Sequence, residues 1–224
     1  MSLIADNLKN VQDKISKSAQ KAGVNAEEIE LVVVTKTRTI EEIDDVLDCG
    51  INNIAENYVQ EAQSKFAEIG NIVKWHMIGH LQTNKAKQAV EVFDLVQSVD
   101  SFDLAQELSK RALAAGKTLD VLVEVNISRE EQKFGVKPEE TLDFIEKLAD
   151  LEGIVVMGLM GMAPLLDNPE DTRPYFRELR SLWEKLPEEQ RVYLSMGMTC
   201  DFEQAILEGS NMVRIGTAIF GQRK

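Results

Sequence analysis

Residues 31–39 read Leu31-Val32-Val33-Val34-Thr35-Lys36-Thr37-Arg38-Thr39, and this stretch separates two architectures. The apolar run predicts a short buried strand, expected over 31–36. A doubly wound sheet that binds a dinucleotide would place a glycine-rich turn directly after it. Here that turn is Thr35-Lys36-Thr37-Arg38, which excludes the fingerprint. The same run carries the amine of Lys36 to the rim where a loop begins. An ammonium so placed serves either a salt bridge or covalent chemistry. Near apolar surface a lysine loses part of its preference for the charged form and becomes a better nucleophile toward carbonyls.

Outward from this strand, apolar runs of strand length alternate with amphipathic runs of helix length, the pattern of a parallel sheet. An opening helix carries Ile4, Leu8, Val11 and Ile15 at helical spacing. Seven further strands are expected at 51–55, 73–79, 94–99, 120–127, 154–160, 191–196 and 211–215. Helices are expected between them, among them 57–69, with Tyr58, Ala62, Phe66 and Ile69 on one stripe, and 170–186, with Phe176, Leu179, Trp183 and Leu186. Eight strands, each followed by a helix, in 224 residues is the count that closes a (β/α)8 barrel of the TIM type, here with an extra N-terminal helix. No proline- or glycine-rich linker and no internal repeat divides the chain, so 1–224 reads as one domain.

Composition excludes several classes of partner. Against 25 basic residues stand 38 acidic ones, a net charge of −13 spread along the chain. Nucleic acid and anionic membrane are poor partners for such a surface, although a local pocket can still bind an anion. Only Cys49 and Cys200 are present, and the N-terminus lacks the basic and apolar blocks of a signal peptide. A reduced, cytoplasmic protein without membrane spans is expected.

In a (β/α)8 barrel, functional residues lie at the C-terminal ends of the strands, and a phosphate is often held after the seventh and eighth. The residues of interest fall there: Lys36, Glu56-Asn57, the stretch from His76 to His80, Ser195-Met196-Gly197-Met198 and Arg214-Ile215-Gly216-Thr217. Ser195, Gly197, Gly216 and Thr217 are of the types that cradle an anion, since glycine admits close backbone approach and a hydroxyl adds a donor. Asp201 and Glu203, in the first turn of the helix after strand seven, would repel it. Arg214 alternates with Val213 and Ile215, so it faces the opposite way from both. If inward, it needs an acceptor, either Glu124 on strand five or the ring nitrogen of a pyridine cofactor. His76 and His80 straddle a strand end without a zincin glutamate, so no metal is expected. Cys200 reads as a plain buried thiol.

Several stretches together resemble a known family: Val33-Val34-Thr35-Lys36-Thr37, Glu56-Asn57-Tyr58-Val59-Gln60-Glu61, the run from Trp75 to Lys85, Lys133-Phe134-Gly135, Gly158-Leu159-Met160, Leu194 to Met198, and Met212 to Gly221. They are similar to the pyridoxal phosphate homeostasis proteins, the YggS/PROSC-like family, over nearly the whole chain. The resemblance implies a barrel like the N-terminal domain of alanine racemase, with pyridoxal 5′-phosphate held as a Schiff base on Lys36. It implies phosphate contacts near Ser195, Gly197, Gly216 and Thr217, with Arg214 beside the pyridine nitrogen and Asn57 lining the same mouth. His76 is counted among the candidate cofactor contacts. Ala55 stands where the family usually has glycine. A two-base racemase needs an acid/base on each face of the substrate carbon, and the chain ends three residues after Gly221 without a domain to supply the second. The expected role is therefore a carrier in vitamin B6 and amino-acid balance, monomeric, with pyridoxal phosphate-dependent apoenzymes as partners. A small racemase acting through His76 or Tyr58 is the alternative.

Overall fold

The computed structural model describes residues 2–222. Helix α1 (Leu3–Ala22) comes first, capped by the Ser2 hydroxyl, which accepts from Ala5 N–H, and ended by Gly23 in the left-handed region at φ 74°. Eight strands follow: β1 (Glu30–Val34), β2 (Asn53–Glu56), β3 (Lys74–Met77), β4 (Leu95–Val99), β5 (Leu119–Val125), β6 (Ile154–Gly161), β7 (Tyr193–Ser195) and β8 (Met212–Ile215). All pair in parallel in sequence order, and β1 pairs with β8 to close the barrel. Helices α2 (Ile40–Leu47), α3 (Val59–Ile69), α4 (Ala86–Val92), α5 (Phe102–Ala114), α6 (Thr141–Leu148), α7 (Arg173–Trp183), α8 (Phe202–Leu207) and α9 (Thr217–Phe220) follow the strands in turn.

Strand alternation divides the core in two. Outward residues such as Val33, Ile54, Trp75, Val213 and Ile215 pack under the helices. Inward ones form a smaller interior cluster of Val32, Val34, Ala55, Leu95, Leu122, Met160 and Met212. The buried polar residues include His76, Gln97, Glu124, Ser195 and Arg214. Helix α1 lays Leu8, Val11 and Ile15 against this body, and Asn7 Nδ2 donates to Ile219 O at 2.9 Å, tying it to α9.

One boundary differs from expectation at the decisive stretch. Strand β1 stops at Val34, two residues before Lys36. The chain turns because Arg38 N–H donates to Thr35 O at 3.0 Å, and Thr37 takes a left-handed φ of 63°. A capping box then starts α2, with Thr39 and Glu42 bonding each other's backbone N–H groups.

Candidate functional site

At the C-terminal ends of the strands lies a cavity of about 460 Å³, within the range of small-molecule sites. Lys36 reaches it from the turn after β1 and Asn57 from the residue after β2. Met198 to Asp201 follow β7, while Arg214, Gly216 and Thr217 close it from β8. Met162 to Leu165, after β6, and Ile78, after β3, supply apolar wall. Asn57 Oδ1 is buried there without a hydrogen-bond partner, an acceptor that a bound polar group would satisfy.

The Lys36 turn is held from two sides. Beneath it, Lys65 of α3 donates at 2.7 Å to Thr35 O, to Glu56 Oε1 and to Glu61 Oε1. Thr35 Oγ1 donates to Glu56 Oε1 at 2.6 Å, and Thr37 N–H donates to Glu61 Oε1. Glu56 is fully buried, and burial raises its carboxyl above the ordinary range despite the Lys65 and Thr35 donors. On the other side, Arg38 Nη2 donates to Gly221 O at 2.9 Å and its guanidinium lies 5.0 Å from the Phe220 ring centroid. A backbone conformation uncommon for threonine is thus over-determined by its surroundings directly beside Lys36.

Arg214 points inward, as alternation requires, and is 3 % exposed. Nη1 donates to Ser195 Oγ at 2.6 Å and Nη2 to Gly161 O at 3.1 Å. Among the described residues it makes no ion pair with Glu124. That carboxyl acts on it only through space and is pushed up to about 7, first by burial and then by Asp100. Burial lowers the Arg214 guanidinium to about 10, with Glu124 and Asp201 opposing, so it stays charged at neutral pH.

The structure does not bring every expected residue to the mouth. Ser195 is fully buried below the cavity, its hydroxyl occupied by Arg214 and by Gln97 Oε1 at 2.6 Å. His76 is also interior, bonded to Asn53 and Gln97, and burial pushes its ring down to about 3, so it is neutral. Both face inward, but their strands place them deeper along the barrel axis than Lys36 and Thr217. Gly197 is likewise buried: at φ 94°, an added Cβ would lie 2.6 Å from Ala205 Cβ and 2.9 Å from Phe202 Cα, so close packing of α8 requires it. Gly216 does line the cavity, although its missing Cβ faces Val34.

Thr199, absent from the residues expected at the site, stands at the mouth with Thr217 and accepts from Ala218 N–H at 3.3 Å. Its signal was present in the sequence as a hydroxyl directly following Met198. Asp201 lines the cavity, but its Oδ1 is engaged by Met198 N–H at 2.7 Å, and burial raises its pKa. Glu203 turns away to Lys14 at 3.3 Å. Cys200 is exposed at the rim, contrary to the buried reading, because the loop after β7 carries it outward before α8 begins.

The chain is similar to known proteins over nearly its whole length. The family model for the alanine racemase N-terminal domain matches residues 4–224. A pyridoxal phosphate homeostasis protein of Aquifex aeolicus is 43 % identical over 98 % of this chain and 98 % of its own. One from Escherichia coli is 37 % identical over 100 % and 98 %. The structure of PipY from Synechococcus elongatus, solved with pyridoxal phosphate bound, superposes with a TM-score of 0.83 at 30 % identity, covering 97 % of this chain and all of that one. Among the described residues no helix is long and apolar enough to cross a membrane.

Proposed function

The chain belongs to the pyridoxal phosphate homeostasis protein family, and on that premise we propose that it holds pyridoxal 5′-phosphate at the barrel mouth with Lys36 as the covalent attachment point. The observation that carries this reading is the convergence of Lys36, Asn57, Arg214 and Thr217 on one cavity from four separated parts of the sequence. Bound there, pyridoxal phosphate supplies an electrophilic aldehyde on an electron-accepting ring. Lys36 presents its amine to that aldehyde from a turn clamped by Lys65 and Arg38. Thr199 and Thr217 offer hydroxyl donors to the phosphate. Arg214 directs a permanent positive charge to the ring nitrogen and opposes its protonation. Asn57 presents its amide to the polar edge of the ring.

The role is that of a carrier in vitamin B6 balance. The cavity's titratable side chains are Lys36, Lys133, Cys200, Asp201 and Arg214; the described lining holds neither histidine nor tyrosine, and Asp201 Oδ1 is already engaged by Met198 N–H. We extend the proposal to a cytoplasmic, monomeric protein, one domain over 1–224, that passes its cofactor to pyridoxal phosphate-dependent apoenzymes. Titration of the purified protein with pyridoxal phosphate should give a saturable new absorbance band, and pyridoxal should bind at least about tenfold more weakly, the share of charge-assisted hydrogen bonds to phosphate. Equal affinity for the two vitamers contradicts the phosphate assignment. Racemisation of L- or D-alanine by the loaded protein contradicts the carrier role.

A further inference from the structure

The interior bonds of Arg214 continue beyond Ser195 into a chain that crosses the barrel. Ser195 Oγ lies 2.6 Å from Gln97 Oε1, Gln97 Nε2 lies 2.9 Å from His76 Nδ1, and His76 Nε2 lies 3.2 Å from Asn53 Oδ1. The five residues come from β8, β7, β4, β3 and β2. Gln97 is completely buried, and Nε2 also lies 3.3 Å from Met212 Sδ.

A guanidinium has only donors, so Arg214 is the donor to Ser195, and the Gln97 amide, with Oε1 toward Ser195 and Nε2 toward His76, sets the direction of the remaining bonds. Ser195 Oγ accepts from Arg214 and donates its one hydrogen to Gln97 Oε1. The Gln97 amide is thereby oriented with Nε2 toward His76, where it donates to Nδ1. His76 must then carry its hydrogen on Nε2 and donate to Asn53. Burial, which keeps His76 neutral, preserves Nδ1 as an acceptor. Successive bonds aligned in one direction polarise one another in a low-dielectric interior. No member is a carboxylate, so the chain fixes the guanidinium without cancelling its charge by contact.

We propose that Gln97 is the positioning residue for Arg214, acting through Ser195 and held in turn by His76 and Asn53, so that the guanidinium presents a fixed, uncancelled charge to the cavity. This rests on reading Arg214 as the group that meets the cofactor ring. Its consequence for the chain's own atoms, the His76 tautomer and the restraint on Arg214, is independent of any ligand.

The test is side-chain nitrogen NMR of the labelled protein with and without pyridoxal phosphate, on the wild type, Gln97→Met and Gln97→Glu. In the wild type, His76 should be the neutral Nε2–H tautomer, and the Arg214 Nη protons should be resolved and slow to rotate. Gln97→Met should release that rotation, shift the absorbance maximum of the bound cofactor and weaken its binding about three- to tenfold, the share of one hydrogen bond. A purely structural residue would lower thermal stability and leave the maximum unmoved. In Gln97→Glu an ionised carboxylate can only accept, so the His76 hydrogen should move to Nδ1, facing residue 97. If Gln97→Met does not fold, the wild-type tautomer and Gln97→Glu decide the matter. An Nδ1–H tautomer in the wild type, a His76 Nδ1 still without a hydrogen in a Gln97→Glu protein whose residue 97 is ionised, or unchanged Arg214 signals in Gln97→Met overturns the proposal. Released Arg214 signals in a protein whose wild type takes up no pyridoxal phosphate uphold the positioning and overturn the cofactor reading alone.

Discussion

Two cations are buried near this site, and the protein treats them in opposite ways. Lys65, on the face of α3 turned to β2, is bracketed by the carboxylates of Glu56 and Glu61, each at 2.7 Å. Arg214, inside the barrel, is bonded to a hydroxyl and a carbonyl, while Glu124 and Asp201 influence it only from a distance. The Lys65 charge is consumed in holding the turn that carries Lys36. The Arg214 charge is fixed in direction and left available to the cavity. Here the charge paired with acids supports a turn, and the one held by neutral acceptors faces the cavity.

The largest expected effect lies at the paired cation. Lys65→Met leaves Glu56 as an uncompensated buried carboxylate and should lower unfolding free energy by about 3–5 kcal/mol in urea denaturation. Adding Glu56→Gln should recover much of that loss. A single-variant cost below about 1 kcal/mol would remove the distinction between the two cations.

Next is Glu124, the carboxyl that stays apart from Arg214. Its pKa is raised from the ordinary 4.5 to about 7, chiefly by burial. The folded protein therefore keeps a proton that the unfolded chain releases between those values. The group's stabilising contribution is full below about 4.5 and is lost as pH rises through about 7. Glu124→Gln should match the wild type at acidic pH and exceed it above pH 7 by on the order of 3 kcal/mol at most. Parallel stability curves for the two proteins would contradict this.

A smaller effect on folding is expected from Arg214→Met, at most about 2 kcal/mol, because only neutral acceptors lose a donor. This is the same substitution as at Lys65, and a larger loss at 214 than at 65 would invert the comparison. The smallest effect is at the rim. Thr217→Ala should weaken pyridoxal phosphate about fivefold, the share of one hydroxyl donor, and leave pyridoxal unaffected, as read by absorbance titration.

Much of this was legible because strand alternation is local. The eight buried runs locate the strands, and the neighbours of Arg214 give its inward direction. Depth along the barrel axis is not local. It depends on the register between strands, such as Ser195 opposite Met212 and Ala55 opposite His76, which no single segment records. Hence the sequence points His76 and Ser195 to the mouth, whereas they lie beneath it. Gly197 was read as an anion cradle because a glycine that admits a ligand and one that admits a helix look identical in sequence. The Lys65–Glu56 pair was missed because it requires the outward parity of β2 and the inward face of α3 together. Gln97 carries no sequence signal because its partners come from other strands, β3 and β7.

The most direct test of the central claim is reduction of the pyridoxal phosphate-loaded wild-type protein with borohydride, followed by peptide mapping. The account predicts one dominant pyridoxyl label, on the lysine of the peptide containing Thr35-Lys36-Thr37. A dominant label on any other lysine, or no label after saturation with the cofactor, would contradict it.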